Sequence, residues 1–161
     1  TMTDQTRLSE LYDRDFLRWT EEQAAALRGA KDSNLALDWE NLAEEIESLG
    51  KSQRATLRSQ LRRILRHLFK LEASPALEPR SGWEESIRDA RVEIEDILQD
   101  SPSLRREVAR LVLEQAPTAA KLAAADLRSH GEAGDAVWAR LEKGGFTAAE
   151  VVGDWFPDPR A

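Results

Sequence analysis

The chain has 161 residues, with 23 Lys and Arg against 30 Asp and Glu, and no cysteine. That length suits one α-helical domain, 1–161, able to hide roughly 70% of its unfolded surface without covalent staples, and the missing thiols exclude disulfides, iron–sulfur clusters, thiolate zinc sites and a cysteine nucleophile. The net charge of −7 disfavours nucleic acid or an anionic membrane as partner for the whole surface, and no apolar run reaches the roughly 20 residues of a membrane span.

The N-terminal TMTDQTRLSE lacks the basic-then-apolar order of a secretion signal, so a cytoplasmic location is expected. Thr1, ahead of Met2, reads as an added remnant. Ala, Leu, Glu and Arg dominate, and period-two alternation is lacking. The fold class expected is therefore all-α, a bundle of about five to seven helices around one long central helix.

The first helix is predicted from about Asp13 to Arg28, with Phe16, Thr20, Ala24 and Leu27 on one side and Gly29 as a left-handed cap. In the second, starting after Asp38 as candidate cap, Leu35, Trp39, Leu42, Ile46 and Leu49 share an apolar stripe. Leu57, Leu61, Ile64, Leu68 and Leu71 continue that stripe in phase beyond Gly50. One rod from about Trp39 to Leu71 is preferred to a hairpin at Gly50 to Ser52, the glycine costing it roughly 1 kcal/mol relative to Ala.

EASPALEPRSG is a loop. Ser81 and Glu84 then have capping-box spacing, opening a helix through Trp83, Ile87, Ala90, Ile94 and Ile97 to about Asp100. Ser101 as cap and Pro102 in the first turn restart the chain, with Val108, Leu111 and Val112 inward. Pro117 is expected to break or kink this helix, and the following Ala-rich stretch ends at Gly131. From Gly131 to Gly145 only a short helix at Val137, Trp138 and Leu141 is suggested. Thr147 and Glu150 form a second capping box, Phe146 and Val151 a hydrophobic staple, and 146–161 is a short C-terminal helix with WFPDP as an apolar tail. Five tryptophans at helical spacing read as core anchors, although Trp155 near the terminus could instead mark an exposed contact.

Among polar groups, Glu40, Glu44 and Glu47 point away from the stripe and read as solvated, whereas Asp38, Asn41 and Glu45 border it and need partners. A di-metal bundle would supply Glu-x-x-His pairs, but Ile64 and Leu127 precede His67 and His130 at that spacing. Glu45 and His67 are about 33 Å apart along a straight helix, so buried-polar roles are preferred to metal or acid–base work. His67 is expected to be a hydrogen-bonded border histidine. No metal and no cofactor is implied.

Lys51 to Lys70 holds seven cations and no acid. Arg58, Arg62, Arg66 and Lys70 form a stripe for nucleic-acid phosphates or an acidic partner, although no aromatic residues interleave for base stacking. The plainer reading, a charged outer face paired with acidic helices, is preferred.

LYDRDFLRWTEEQAAALR, DWENLAEEIESLGKSQRATLRSQLRRILRHLFKL and SGWEESIRDARVEIEDILQDSPSL resemble the bacterial family grouped as domain of unknown function 29. The resemblance implies a small α-helical protein without an assigned activity, with Asp15, Asp38, Asn41, Glu44, Glu45, His67 and Lys70 as the family's recurrent polar positions. Recurrence at Glu44 sits poorly with pure solvation and suggests that its face meets a partner or a second subunit. The leading functional expectation is a non-catalytic protein–protein interaction module, binding an unknown protein or a second copy as a homodimer through the long helix. Nucleic-acid binding by Arg58 to Lys70, and a metal-dependent or acid–base enzyme around Asp38, Asn41, Glu45 and His67, are the alternatives.

Overall fold

A computed structural model describes residues 3–158. Thr1 and Pro159 of the WFPDP tail lie outside the described residues. Helices α1 (Asp4–Arg14), α2 (Phe16–Gly29), α3 (Trp39–Ala73), α4 (Arg80–Asp100), α5 (Val108–Ser129), α6 (Asp135–Glu142) and α7 (Ala148–Val152) follow one another, with a 3-10 turn at Pro102–Glu107 and no strand among the described residues. None of these helices is long and apolar enough to cross a membrane. The fold is all-α. It gathers into two compact units, one holding the chain up to Thr56 with Asp96–Arg106, the other holding Leu57–Glu95 with the chain from Glu107 onward. Both α3 and α4 contribute to each.

In the first unit the helix expected from about Asp13 to Arg28 begins at Phe16 as α2, and an unexpected helix, α1, precedes it. Asp15 is extended, and its carboxylate accepts the Arg18 N–H at 3.1 Å, capping α2. The same carboxylate accepts the Ser103 N–H at 2.8 Å and the Ser103 hydroxyl at 3.0 Å, so one buried Asp fixes both the α1–α2 corner and the 3-10 turn. Ser101, expected to cap the chain behind it, instead accepts the Leu17 N–H at 3.0 Å and donates to Gln53. Gly29 is not left-handed; positive φ occurs at Gly131, Gly144 and Gly145.

The rod is continuous through Gly50, and the glycine serves a close helix approach rather than a turn. A Cβ on it would lie 2.4 Å from Thr20 Oγ1 and 2.7 Å from Leu17 Cδ1 on α2. Thr20 Oγ1 cannot swing away freely, because it donates to the Leu17 carbonyl at 2.7 Å. This contact also corrects the expected core face. Ala43 and Gly50 are buried against α2, while Leu42 and Leu49, rotated about 100° away, stay 41% and 50% exposed, and Leu35 lies in the loop before α3, 64% exposed.

The second unit keeps the predicted stripe: Leu57, Leu61, Ile64, Leu68 and Leu71 are fully buried, with Ile87, Ala90 and Ile94 of α4 and Leu111, Val112, Ala119, Ala123 and Leu127 of α5. Helix α4 begins before the expected capping box. Trp83 N–H already donates to the Pro79 carbonyl, and Glu84 pairs with Arg80 and Arg88 rather than turning back to Ser81. Pro117 lies inside α5 without ending it. Gly131, at φ 78°, closes α5 with Glu132 N–H on Leu127 O and Gly131 N–H on Arg128 O, the paired bonds of a left-handed helix stop. The Thr147–Glu150 capping box is formed, and Phe146 and Val151 are both buried. The tail is held by arginines as well as by apolar contact. Arg91 donates to the carbonyls of Glu150, Val151 and Trp155, Arg80 donates to that of Pro157, and Arg88 and Arg91 lie over the Phe156 ring. No tryptophan is a buried core anchor; Trp138 and Trp155 are exposed, and Trp19 stacks with Phe16 and meets Tyr12 edge-on.

At an open helical site Gly50→Ala would add about 1 kcal/mol of stability. Here it is expected to destabilise by about 1–3 kcal/mol, through overlap with Thr20 and Leu17. Combining it with Thr20→Ala should recover part of that loss. Chemical denaturation of the four proteins of the double-mutant cycle measures the coupling.

Candidate functional site

The C-terminal half of α3 turns its polar side into a cleft of about 1170 Å³ that lies wholly in the second unit. Arg62, Arg63, Arg66, His67 and Lys70 line one wall; Pro75, Pro79 and Trp83 form a second, and Leu122, Asp126 and His130 a third. These α3 positions flank the buried Leu61, Ile64, Leu65 and Leu68, so the residues that anchor the helix also aim its cations.

Asp126 is the electrostatic centre. Arg66 grips it through two hydrogen bonds, Nε to Oδ2 at 2.7 Å and Nη2 to Oδ1 at 2.6 Å, and Lys70 Nζ stands 3.0 Å from Oδ2. Hydrogen bonding from Arg66, reinforced by Lys70, pulls the Asp126 carboxyl down to about 2. The Lys70 side chain is only 9% exposed, its ammonium 5.1 Å from the centroid of the Trp83 ring.

Arg62 and Arg63 are differently placed. Arg62 donates to Gln115 Oε1 at 2.9 Å, and Arg63 donates to Ser86 Oγ at 2.9 Å and Gln60 Oε1 at 3.4 Å. Both are therefore held by neutral acceptors, with no carboxylate partner among the described residues. Beside them, His67 Nδ1 is buried without a hydrogen-bond partner. Burial first, and then the charges of Lys70, Arg66 and Arg63, push the imidazole down to about 4, with Asp126 opposing weakly. His67 is thus a neutral hydrogen-bonding group at pH 7. His130 is exposed and lies 2.9 Å from the Asp126 carbonyl oxygen through Nδ1.

The predicted residues divide between two places. His67, Lys70, Arg62 and Arg66 meet at the cleft; Arg58 does not line it. Asp38, Asn41, Glu44 and Glu45 are exposed on the N-terminal half of α3, and Glu45 stays 22 residues from His67 on one uninterrupted helix. Asp38 is the helix cap, accepting from the Asn41 N–H at 3.3 Å and from Asn41 Nδ2 at 2.7 Å. Asp38, Asn41 and Glu45 are therefore solvated, not the buried border they were expected to form. Conversely, Glu40 and Glu47 pair with Arg28 of α2. His67 lacks the partner expected of it at Nδ1. Among the described residues no group of three His, Asp or Glu could hold a metal ion.

Asp126 and the cleft roles of Arg63 and Trp83 escaped the sequence reading. Trp83 looked like core, and Arg63 falls outside the four-residue repeat of the stripe. Asp126 carries a signal, since it is the lone acid between Lys121 and Arg128 on the Ala-rich part of α5, next to the buried Leu127. A carboxylate bordering such a face calls for a cation from a neighbouring element.

Two outcomes follow for stability. Asp126→Asn leaves Arg66 and Lys70 without their shared counter-charge and should cost about 1–2 kcal/mol at neutral pH, discounted for the solvent that reaches Arg66, as urea unfolding would measure. As pH falls, the unfolded His67, at 6.5, takes a proton before the folded one, near 4. The stability gained from a neutral His67 is complete above pH 6.5 and declines between 6.5 and 4; the Asp126 contribution is lost from 3.8 down to about 2. His67→Gln should flatten the upper part of that profile and leave the lower limb, as thermal unfolding across pH would report.

Comparison with curated proteins and with solved structures yields no match. The family model described as Domain of unknown function DUF29 matches residues 11–133, a span that takes in α2 to α5 and every charged side chain at the centre of the cleft; the chain belongs to that family.

Proposed function

We propose that the protein binds a small phosphate-bearing molecule in the cleft beside α3, acting as a ligand-binding module rather than as a catalyst. One observation carries this reading: Arg62 and Arg63 enter the cleft held only by neutral acceptors, next to the unpartnered Nδ1 of His67. Guanidinium groups match phosphate oxygens in a bidentate fork. The Trp83 ring, Leu122 and the two prolines offer apolar surface for the rest of the ligand, and the volume admits a molecule of nucleotide size. The shift of the imidazole below its ordinary range fits hydrogen bonding better than proton transfer near neutrality.

Nucleic-acid binding along Arg58 to Lys70 draws less support. Tracking a backbone takes a row of accessible cations, whereas Arg66 is committed to Asp126 and Lys70 is nearly buried. Protein–protein interaction through α3 is favoured by a separate observation, the exposed leucines of its N-terminal half.

Titration with inorganic pyrophosphate and adenosine 5′-monophosphate tests the reading by thermal shift and calorimetry. Ligand at about 100 times its Kd should add about 2.7 kcal/mol to stability, and binding should fall about tenfold or more in the Arg62→Ala, Arg63→Ala double variant. Equal binding by that variant, or no heat with either probe, refutes the site. Binding of a single-stranded oligonucleotide in preference to both probes would favour the nucleic-acid alternative.

A further inference from the structure

The first unit carries an apolar surface that no described residue covers. Leu42 and Leu49, one heptad apart on α3, are 41% and 50% exposed, and Leu35 and Leu37, in the loop that leads into the helix, are 64% and 50% exposed. A seven-residue repeat keeps one seam in line along a helix, which is what a second helix packs against. Gln53 continues the same side one turn further, into a depression of about 340 Å³ lined also by Tyr12 and Phe16, and Tyr12 is 51% exposed. Scattered apolar residues need no explanation, but an aligned seam running into an aromatic-lined hollow does.

The charges around this surface say what covers it. Asp38 and Glu45 fall within about 40–60° of the leucine seam on the side away from α2, and Asp13 and Asp100 line the hollow at its end. None of the four forms an ion pair among the described residues. The cations of α2 and α3 nearest the seam are engaged elsewhere: Arg28 on Glu40 and Glu47, Lys51 on Glu47, Arg54 on Glu21. Asp38 and Glu45 thus border the seam with no ion-pair partner among the described residues.

We propose that this surface docks an amphipathic, basic helix of a protein partner, its apolar side on Leu42 and Leu49 and its Lys or Arg residues on Asp38, Glu45, Asp13 and Asp100. A second copy of the chain fits poorly. In a two-fold contact the same patch meets itself, so Glu45 would face its own counterpart, and like charges opposed at close range weaken association. Pairing along the whole of α3 fails for another reason, because Leu57, Leu61, Ile64 and Leu68 are already fully buried and offer no seam. The proposal does not depend on the phosphate reading of the cleft.

The test uses a fluorescently labelled helical peptide of about three heptads with leucine at the seam positions and lysine at the flanks, and the same peptide with glutamate for lysine. Fluorescence anisotropy with the full chain should show the lysine peptide bound and the glutamate peptide not. Leu42→Asp with Leu49→Asp, both exposed and therefore tolerated by the fold as circular dichroism would verify, should weaken binding about tenfold or more. Glu45→Lys should weaken it too, and Asp38→Ser, which keeps the helix cap, should do so to a smaller degree. Leu113→Asp, at a site 66% exposed on α5, should leave binding unchanged. Unchanged binding by the Leu42, Leu49 variant, equal binding of the glutamate peptide, or a dimer in sedimentation that Leu42→Asp dissolves would each overturn the proposal.

Discussion

Contact between α2 and α3 at Gly50 sets the rest of the first unit. Helices approach closely only where one presents a residue without a side chain, and α3 does so where Thr20 and Leu17 arrive. Once α2 lies on the Ala43–Gly50 side, Arg28 comes to face Glu40 and Glu47, and the larger leucines are left turned away from it. A glycine in mid-helix weakens the helix by about 1 kcal/mol. The close packing it permits offsets that weakness, and it also determines which face of α3 remains open.

The same helix continues as the buried seam of the second unit, where phase was legible in the sequence because large aliphatic residues recur without competition. In the first half, two faces competed: one of leucines, one of small residues. Hydrophobicity alone favours the leucines, and only the geometry of the neighbour reveals that Ala43 and Gly50 are the packing side. Turn chemistry divided in a similar way. Gly131 and the Thr147–Glu150 pair announced themselves because their own backbone groups supply the bonds that end or begin the helix. The long-range roles of Asp15 and Ser101 did not, since the donors they accept from, on Ser103 and Leu17, lie 88 and 84 residues away, and no local pattern encodes so distant a donor.

The cleft shows why its residues were only half visible. A four-residue basic repeat reads as an outward stripe, yet Arg66 and Lys70 turn toward Asp126, an acid on α5 some 60 positions along the chain. One carboxylate between two cations leaves the group electropositive, and Arg62 and Arg63 add charge without any acid of their own. Burial alone would lower the imidazole pKa; beside these cations it is lowered further. The cluster therefore carries its electrostatic cost in the empty state, and an incoming anion relieves it. An arrangement that served stability alone would replace such charges with apolar packing at no loss.

Net charge conceals this division. A chain at −7 carries a cation-rich cleft beside the second half of α3 and an acid-bordered leucine seam on the first, and the two ask for ligands of opposite sign. Screening separates them as well. The seam charges are exposed and weaken within a Debye length of about 8 Å at physiological salt, so their share in the proposed docking is to steer and orient, with adhesion left to the leucines. The cleft charges are partly withdrawn from water, where salt reaches them less, so they hold what enters. On the two proposals, one helix would carry a salt-sensitive encounter surface along one stretch and a salt-resistant binding wall along another, and residue type alone, acid or base, does not distinguish the roles; burial does.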